Sequence, residues 1–299
     1  MESQSLINWY PDLLEILAVD LVLAILLIAA YRIISGLISN VSSTEELSVR
    51  DNVAFGLVFA GGVFALAIVM SGAVSGEAGK SLLKEIILVL SYGLVGIVMM
   101  ILSRKVFDII TLPEIRVQDL ILKGNQAVAI VDVGNLLATA IIIRAAMVWI
   151  QGTAFTGLLA VVIGFIVSQA VIVLVTKYRT KVYASRHNGS SLQAALEAGN
   201  KALAMRYAGH KVGVALAVTA ASGFVPYNDD RLILACLLWG FMSLVLSVVL
   251  SLLAIFARQI ILAKINVVEE VDEQQNLGIG FVEAMIYVSV GFILSSLIA

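Results

Sequence analysis

Charged side chains are scarce in this chain of 299 residues: Asp, Glu, Lys and Arg make up 13% of it, where soluble domains carry about 25%. Hydrophobic residues fill 61%, and the mean hydropathy is +1.03. That balance excludes an ordinary soluble enzyme and a disordered chain. A basic excess is also missing. The 19 Lys and Arg face 21 Asp and Glu, for a net charge of -2. No nucleic-acid partner is expected, because nothing is left over to neutralise phosphates. A single cysteine, Cys236, excludes an internal disulfide framework. Only 3 prolines break the chain, which with 23 glycines fits long helices better than turn-rich β structure. There is no P-loop, dinucleotide fingerprint, nucleophile elbow or HExxH. Nucleotide hydrolysis within the chain is not expected, and no cofactor is implied.

What the chain does have is long apolar runs. A membrane helix needs roughly 20 apolar residues. Eight such runs are read at 13–36, 52–74, 82–103, 125–149, 156–176, 200–224, 231–257 and 276–298. The expected fold is all-α: a polytopic membrane protein with eight transmembrane helices, forming one domain over 1–299. The chain up to the head of the first run includes Glu2, Asp12 and Glu15 and no Lys or Arg. A cleaved signal peptide needs a basic start, so the first run reads as a retained span.

Basic residues sort to one side. The segments after runs one, three, five and seven, counted with the adjoining run ends, hold Arg32, Arg50, Arg104, Lys105, Arg116, Lys123, Lys177, Arg179, Lys181, Arg186, Lys201, Arg258 and Lys264. Lys80, Lys84 and Arg231 are on the other side, and Arg144, Arg206 and Lys211 fall within runs. This asymmetry predicts that the first set is cytoplasmic and that both termini are outside.

The even-numbered runs begin alike. They open Asp51-Asn52-Val53-Ala54-Phe55-Gly56, Gly124-Asn125-Gln126-Ala127-Val128-Ala129, Gly199-Asn200-Lys201-Ala202-Leu203-Ala204 and Gln275-Asn276-Leu277-Gly278-Ile279-Gly280. The shared pattern is Asn-x-small-x-small, with the Asn residues 73, 75 and 76 apart. Nine positions after each Asn stand Gly61, Gly134, Gly209 and, in the last copy, Met285. The chain therefore reads as four tandem two-helix repeats, approximately 12–76, 77–151, 152–226 and 227–299. A two-span unit keeps its orientation from copy to copy, so these are parallel repeats. A quasi-fourfold ring and a pair of four-helix halves both satisfy that. Asn52, Asn125, Asn200 and Asn276 are expected to act as helix N-caps. The small residues, with Gly209 and Gly213 as one GxxxG and Gly72 and Gly76 as another, allow close helix packing.

Hairpins whose second helix starts GN-x-A-x-A, repeated in tandem, resemble the YjfL-like bacterial membrane proteins that carry domain of unknown function 350. Gly124 to Ala129 and Gly199 to Ala204 carry the likeness most clearly. Asp51 replaces the glycine in the first copy, and Gln275 with two glycines for alanines marks the last. The resemblance implies a bacterial inner (cell) membrane location and supplies no activity or catalytic residue.

Ionisable residues inside the runs are the candidate site. Counted from the motif Asn, Asp132 stands seven residues in, Arg206 six and Glu283 seven. At roughly 1.5 Å per residue they share a depth of about 9–11 Å. Phe59 takes that place in the first copy. Two readings stand: a buried ion network that fixes helix register, or a polar path for protons, ions or a small cation. His210 and Lys211 extend the polar character of the sixth run, and Arg206 and His210 share a helix face. Asp132, His210 and Glu283 do not follow a metal-ligand spacing, so no metal is expected. Asp20 and Arg144 sit at comparable depth near the outer side and could pair, or each could reach interface water. Gln169 is expected to bond across a helix contact. Segments 105–122 and 257–271 read either as interfacial helices or as hairpin tips, 185–191 as a polar turn, and Asn228-Asp229-Asp230 as a solvated loop.

Two functions fit. One is a channel or secondary transporter component for a small ion or cation. The other is a membrane scaffold or regulator, for instance in envelope stress, that recruits a cytoplasmic protein. An intramembrane enzyme is not expected, because Arg206 at the same depth would bridge the two acids. Beyond the lipid bilayer, a cytoplasmic protein and a second copy of the chain are the partners considered.

Overall fold

In a computed structural model the described residues are 11–39, 41–75, 82–150 and 156–298. The helices run in order α1 (Pro11–Ser39), α2 (Ser43–Ser48), α3 (Val53–Ala73), α4 (Leu82–Val106), α5 (Val117–Leu122) and α6 (Gln126–Ile150). The second half follows with α7 (Thr156–Arg186), α8 (Leu192–Glu197), α9 (Lys201–Ala221), α10 (Leu232–Ile261) and α11 (Leu277–Ile298). No strand occurs among the described residues. Seven of the long helices are apolar and long enough to cross a membrane. The long helix outside that set is α9, whose Lys201, Arg206, His210 and Lys211 reduce its hydropathy. Gly76 of the second GxxxG, Lys80, Glu2 and the side chain of Asp12 lie outside the described residues.

The even runs match their helices to within a few residues, whereas the odd ones stop short. Helix α7 continues to Arg186 and α10 to Ile261, so Arg179 and Arg258 are helical rather than loop residues. A hydropathy window ends at the first cluster of charges, but a helix need not. Segment 105–122 is neither a surface-lying helix nor a plain extension of the span. A π-helical turn (Phe107–Thr111) ends α4, and Phe107, Leu112, Val117 and Ile121 are buried within the protein.

One local device recurs four times. A short helix (α2, α5, α8 or the π-turn Glu269–Glu273) ends in a left-handed residue, and the motif Asn follows. The left-handed residues are Asp51, Gly124, Gly199 and Gln275, with φ of 47°, 84°, 90° and 54°. In the middle copies the Asn N–H returns to the short helix, Asn125 to the Leu120 carbonyl at 2.9 Å and Asn200 to that of Ala195 at 3.1 Å. This is the Schellman closure that favours glycine at the left-handed position. Each Asn Oδ1 then accepts from the backbone N–H three residues on: Phe55 (3.1 Å), Val128 (3.0 Å), Leu203 (2.9 Å) and Ile279 (3.3 Å). All four are N-caps, as the motif predicts.

The amide nitrogen does a second job. Asn52 Nδ2 donates to the carbonyls of Ile121 and Leu122 at 3.1 and 3.2 Å, at the end of the next copy's short helix. Asn125 does the same to Leu196 and Glu197 (3.2 and 2.9 Å), and Asn200 to Val271 and Asp272 (3.1 and 3.3 Å). Each Asn thus caps its own helix and ties it to the following copy. Asn276 Nδ2 donates to Glu270 Oε2 at 2.8 Å, as Asn52 Nδ2 also does to Glu46 Oε2 at 2.9 Å.

These ties set α3, α6, α9 and α11 side by side in chain order, with α3 and α11 at the two ends. The arrangement is a row rather than a ring or two four-helix halves. Small residues at the ninth position make it close-packed. A Cβ on Gly134 would come within 2.5 Å of Ala208, and one on Gly209 would overlap the backbone of Ala284. Gly213 is equally tight, since a Cβ there would stand 2.8 Å from the Tyr287 carbonyl oxygen, so Gly209 and Gly213 pack as the GxxxG reading expects. In α11 the ninth position is Met285, which is exposed and closes the row. Near the far end, Asn228 accepts from the Arg231 N–H at 2.9 Å, so the Asn-Asp-Asp cluster caps a turn.

Replacing Asn200 with Ala removes a cap and an inter-copy tie together, and Asn276→Ala removes a cap without such a tie. A lost cap costs about 1 kcal/mol, and carbonyls left without their donor cost about 1 kcal/mol more. Thermal unfolding in detergent should therefore show a clearly larger loss for Asn200→Ala. Equal losses would contradict the tie.

Candidate functional site

The row places α6 and α9 in the middle of the molecule, and their inward faces carry the polar residues. On α6, Asp132, Asn135 and Thr139 recur at helical spacing and are all buried. Asp132 Oδ2 accepts from Arg104 Nη2 on α4 at 2.7 Å. Asn135 Oδ1 accepts from Lys211 Nζ on α9 at 2.8 Å. Thr139 and Ser103 share a hydrogen bond of 2.7 Å, and Ser103 donates to Gln169 Oε1 on α7 at 3.2 Å. Gln169 therefore does bond across a helix contact. The face turns apolar beyond this point, at Ile142, Ile143 and Ala146. There Trp149 and Trp239 pack at 4.8 Å between ring centroids, and each indole N–H is bonded to a backbone carbonyl.

Several polar atoms along this seam have no protein hydrogen-bond partner: Asp132 Oδ1, Asn135 Nδ2 and Gln169 Nε2. His210 Nε2, on the α11 side of α9, has none either. Buried polar atoms of this kind are where water enters a protein interior.

The expected layer of Asp132, Arg206 and Glu283 forms only in part. Arg206 bonds to Asp272 and lies 3.8 Å from Glu283. Asp132 is not among its partners, because α6 turns this position toward α4 and Arg104. Counting from the caps gives the reason. The seventh position is Asp132 in α6 and Glu283 in α11, but Tyr207 in α9, with Arg206 one residue earlier on a different face. Adjacent residues diverge in the same way further along α9. Lys211 turns to α6, while His210 meets the Tyr287 ring of α11 edge-on at 4.9 Å. The outer pair does not form either. Arg144 Nε donates to Ser71 Oγ at 3.0 Å and forms no ion pair with Asp20 among the described residues. No group of three metal-ligating side chains occurs among the described residues.

The partners of the buried acids are arginines from the odd helices, which charge sorting alone assigns to loops. Arg104 meets Asp132 from 28 residues away, and Arg258 meets Glu283 at 2.9 Å from 25 residues away. Arg179 stands at the matching place in α7, 28 residues before Tyr207. The spacing to the capping Asn is the signal that links them: in the second and fourth copies an arginine near the end of the first long helix meets an acid seven residues into the next long one.

Residues from α7, α9, α10 and α11 also enclose a cavity of about 610 Å³ on the short-helix side. Its walls include Arg179, Arg206, Arg258, His187, Asp272 and Glu283.

The class these helices define is a multi-pass helical membrane protein. The chain belongs to the DUF350 family, a domain of unknown function whose family model matches residues 8–147, 81–221 and 153–298. Successive matches begin 73 and 72 residues apart, about one Asn-to-Asn interval, so each match spans two adjacent copies of the unit. No curated protein and no solved structure matches the chain.

Removing one partner of a buried pair costs about 3–5 kcal/mol. Arg104→Met should cost that much, because Asp132 has no second cation bonded to it. Arg258→Met should cost less, because Arg206 remains beside Glu283. Adding Asp132→Leu to Arg104→Met should restore most of the loss. Denaturant titration in micelles checks the order of the three.

Proposed function

We propose that the protein is a channel or secondary transporter component that moves a small cation, a proton foremost, along the α6 seam. In this reading α9 is an eighth span held inside the bundle. The four copies are parallel hairpins in a bacterial inner membrane, with the short helices in the cytoplasm and both termini outside. The chain performs no enzymatic chemistry of its own.

Lys211 carries the proposal. It lies 11 residues past its cap, about 16 Å along the helix and near the middle of a hydrocarbon core about 30 Å thick. It is 3% exposed, and its Nζ has one amide oxygen at 2.8 Å and the Phe107 ring at 4.1 Å. No carboxylate forms an ion pair with it among the described residues. A lysine inside a membrane and outside a neutral pair is costly as structure alone. Unlike arginine, it exchanges its proton when its surroundings change. The unpartnered atoms of Asp132 and Asn135 supply polar places beside it for water. By contrast, Arg104 with Asp132 and Arg258 with Glu283 are ion pairs that hold the helices in register, each leaving one carboxylate oxygen without a hydrogen bond. The apolar block at Ile142, Ile143 and Trp149 is the barrier that an alternating or gated path requires.

Proteoliposomes holding a pH dye and a clamped potential test this. The intact protein should pass protons when a gradient is imposed. Lys211→Met should lower the flux by about tenfold or more while unfolding at a similar temperature, and Lys211→Arg should not restore it. Flux that is absent from the intact protein, or unchanged in Lys211→Met, would refute the proposal.

A further inference from the structure

The cavity between α7, α9, α10 and α11 has a charge imbalance that the internal repeat explains. Arg179, Arg186, Arg206 and Arg258 line it against two carboxylates, Asp272 and Glu283. Both acids are already committed. Asp272 holds Arg206 and, at 3.2 Å, His187, and Glu283 holds Arg258. Arg179 stands 28 residues before the seventh position of the following helix, as Arg104 does, and Arg258 stands 25 before it, about one helical turn nearer. Those two each meet an acid at the seventh position of the following helix. In this copy that position is Tyr207, so the arginine is kept and its carboxylate is gone. Arg179 Nη2 donates to the Tyr287 hydroxyl at 2.6 Å and its guanidinium lies 4.6 Å from that ring, with no ion pair among the described residues. A guanidinium facing a cavity with neutral partners is half of a charge-assisted pair.

The shape of the cavity says what supplies the other half. Helices α7 and α10 touch in their outer halves. There Gly164 lies against Trp239 and Gly240 against Val167. Toward the short-helix side they diverge, and the cavity opens between them. The flanks of this opening are apolar and outward-facing, with Leu174 57%, Val248 60% and Leu252 63% exposed. From Leu174 to Arg186, and from Leu244 to Arg258, the lining changes from aliphatic to basic over about 18–21 Å. An apolar slot that opens into hydrocarbon and ends on arginines at headgroup level matches an amphiphile with an anionic head.

We propose that this cavity holds one anionic phospholipid of the leaflet on the short-helix side, its phosphate on Arg179 with Arg258 and Arg186 beside it, and one acyl chain in the slot between α7 and α10. The site is separate from the Lys211 seam and needs no transport for its detection. Binding at Arg179 draws α7 and α10 together at the end where they otherwise diverge.

Native mass spectrometry and thermal unfolding of the full chain in a neutral detergent test the proposal, with phosphatidylglycerol as the probe. Phosphatidylcholine and inorganic phosphate are the comparisons. Phosphatidylglycerol should stay bound and raise the unfolding temperature, and the other two should do neither. Arg179→Met should weaken phosphatidylglycerol binding by about tenfold or more, while Arg116→Met, on an exposed turn away from the cavity, should leave it unchanged. Val248→Trp fills the slot from its exposed side without touching an ion pair, and should also displace the lipid. It keeps the test decisive if Arg179→Met does not fold. Equal retention of phosphatidylcholine would overturn the proposal, as would equal stabilisation by inorganic phosphate or undiminished binding in both slot variants.

Discussion

A side-chain amide at a membrane helix start must find partners for both of its ends, and that requirement organises this protein. The oxygen of each motif asparagine takes an N–H that its own helix leaves unmatched. The nitrogen then needs acceptors, and in three copies these include the C-terminal carbonyls of the next short helix. Those carbonyls are themselves unmatched by their helix. Two sets of unsatisfied backbone groups, from two copies, are thus closed by one side chain. Satisfying them inside the protein is worth more at a membrane surface than in water, so the tie fixes both register and neighbour.

The rest follows from the row that this tie imposes. Helices already held at their starts can approach closely only if the residues between them are small, which explains the glycines at the ninth position. Close approach leaves the polar side chains of α6 and α9 no access to lipid or bulk water. They must find partners inside the protein: Asp132 of α6 takes Arg104 of α4, Lys211 of α9 takes Asn135 of α6, and Arg206 of α9 takes Asp272, while Arg258 of α10 serves Glu283 of α11 in the same way. The two middle copies, flanked on both sides, carry the buried Lys211 and the unpartnered atoms of Asp132 and Asn135, while Asp20 in the first copy and Glu283 in the last each leave one oxygen without a hydrogen bond. The end copies do not need such a seam. In the first, Phe59 stands where the acids stand elsewhere, and in the last, Met285 replaces the glycine that would admit a further neighbour.

Substitution within the repeat is also how the two proposed sites arise. Asn135 and Lys211 are polar replacements at positions that hold Gly62 and Val63 in the first copy. Tyr207 replaces an acid and releases Arg179. In each case the scaffold stays the same and one side chain departs from the pattern. The departure then places either an extra charge in the interior or an unbalanced one in a cavity. The first is read here as an ion path and the second as a lipid site. They lie on different faces of α9 and can be tested separately.

Much of the architecture is written in the sequence, because hydrophobic length and a recurring cap are local properties. The apolar runs gave the even helices nearly to the residue, and the Asn pattern gave the caps and the period of the repeat. The true lengths of α7 and α10 were not legible, since charged residues extend a helix as readily as apolar ones when they fold against a neighbour. Nor were the partners of Asp132 and Glu283. Depth along a helix follows from residue counting, but the direction in which a side chain points depends on which helices lie beside it. The sequence by itself determined a membrane-embedded helical chain of four similar units, each opening its second helix with asparagine. Only the tertiary structure decided that the units form a row, that Arg104 and Arg258 rather than Arg206 satisfy the acids directly, and that Arg179 faces a cavity. Those outcomes depend on facing surfaces from residues far apart in the chain, and no local pattern contains them.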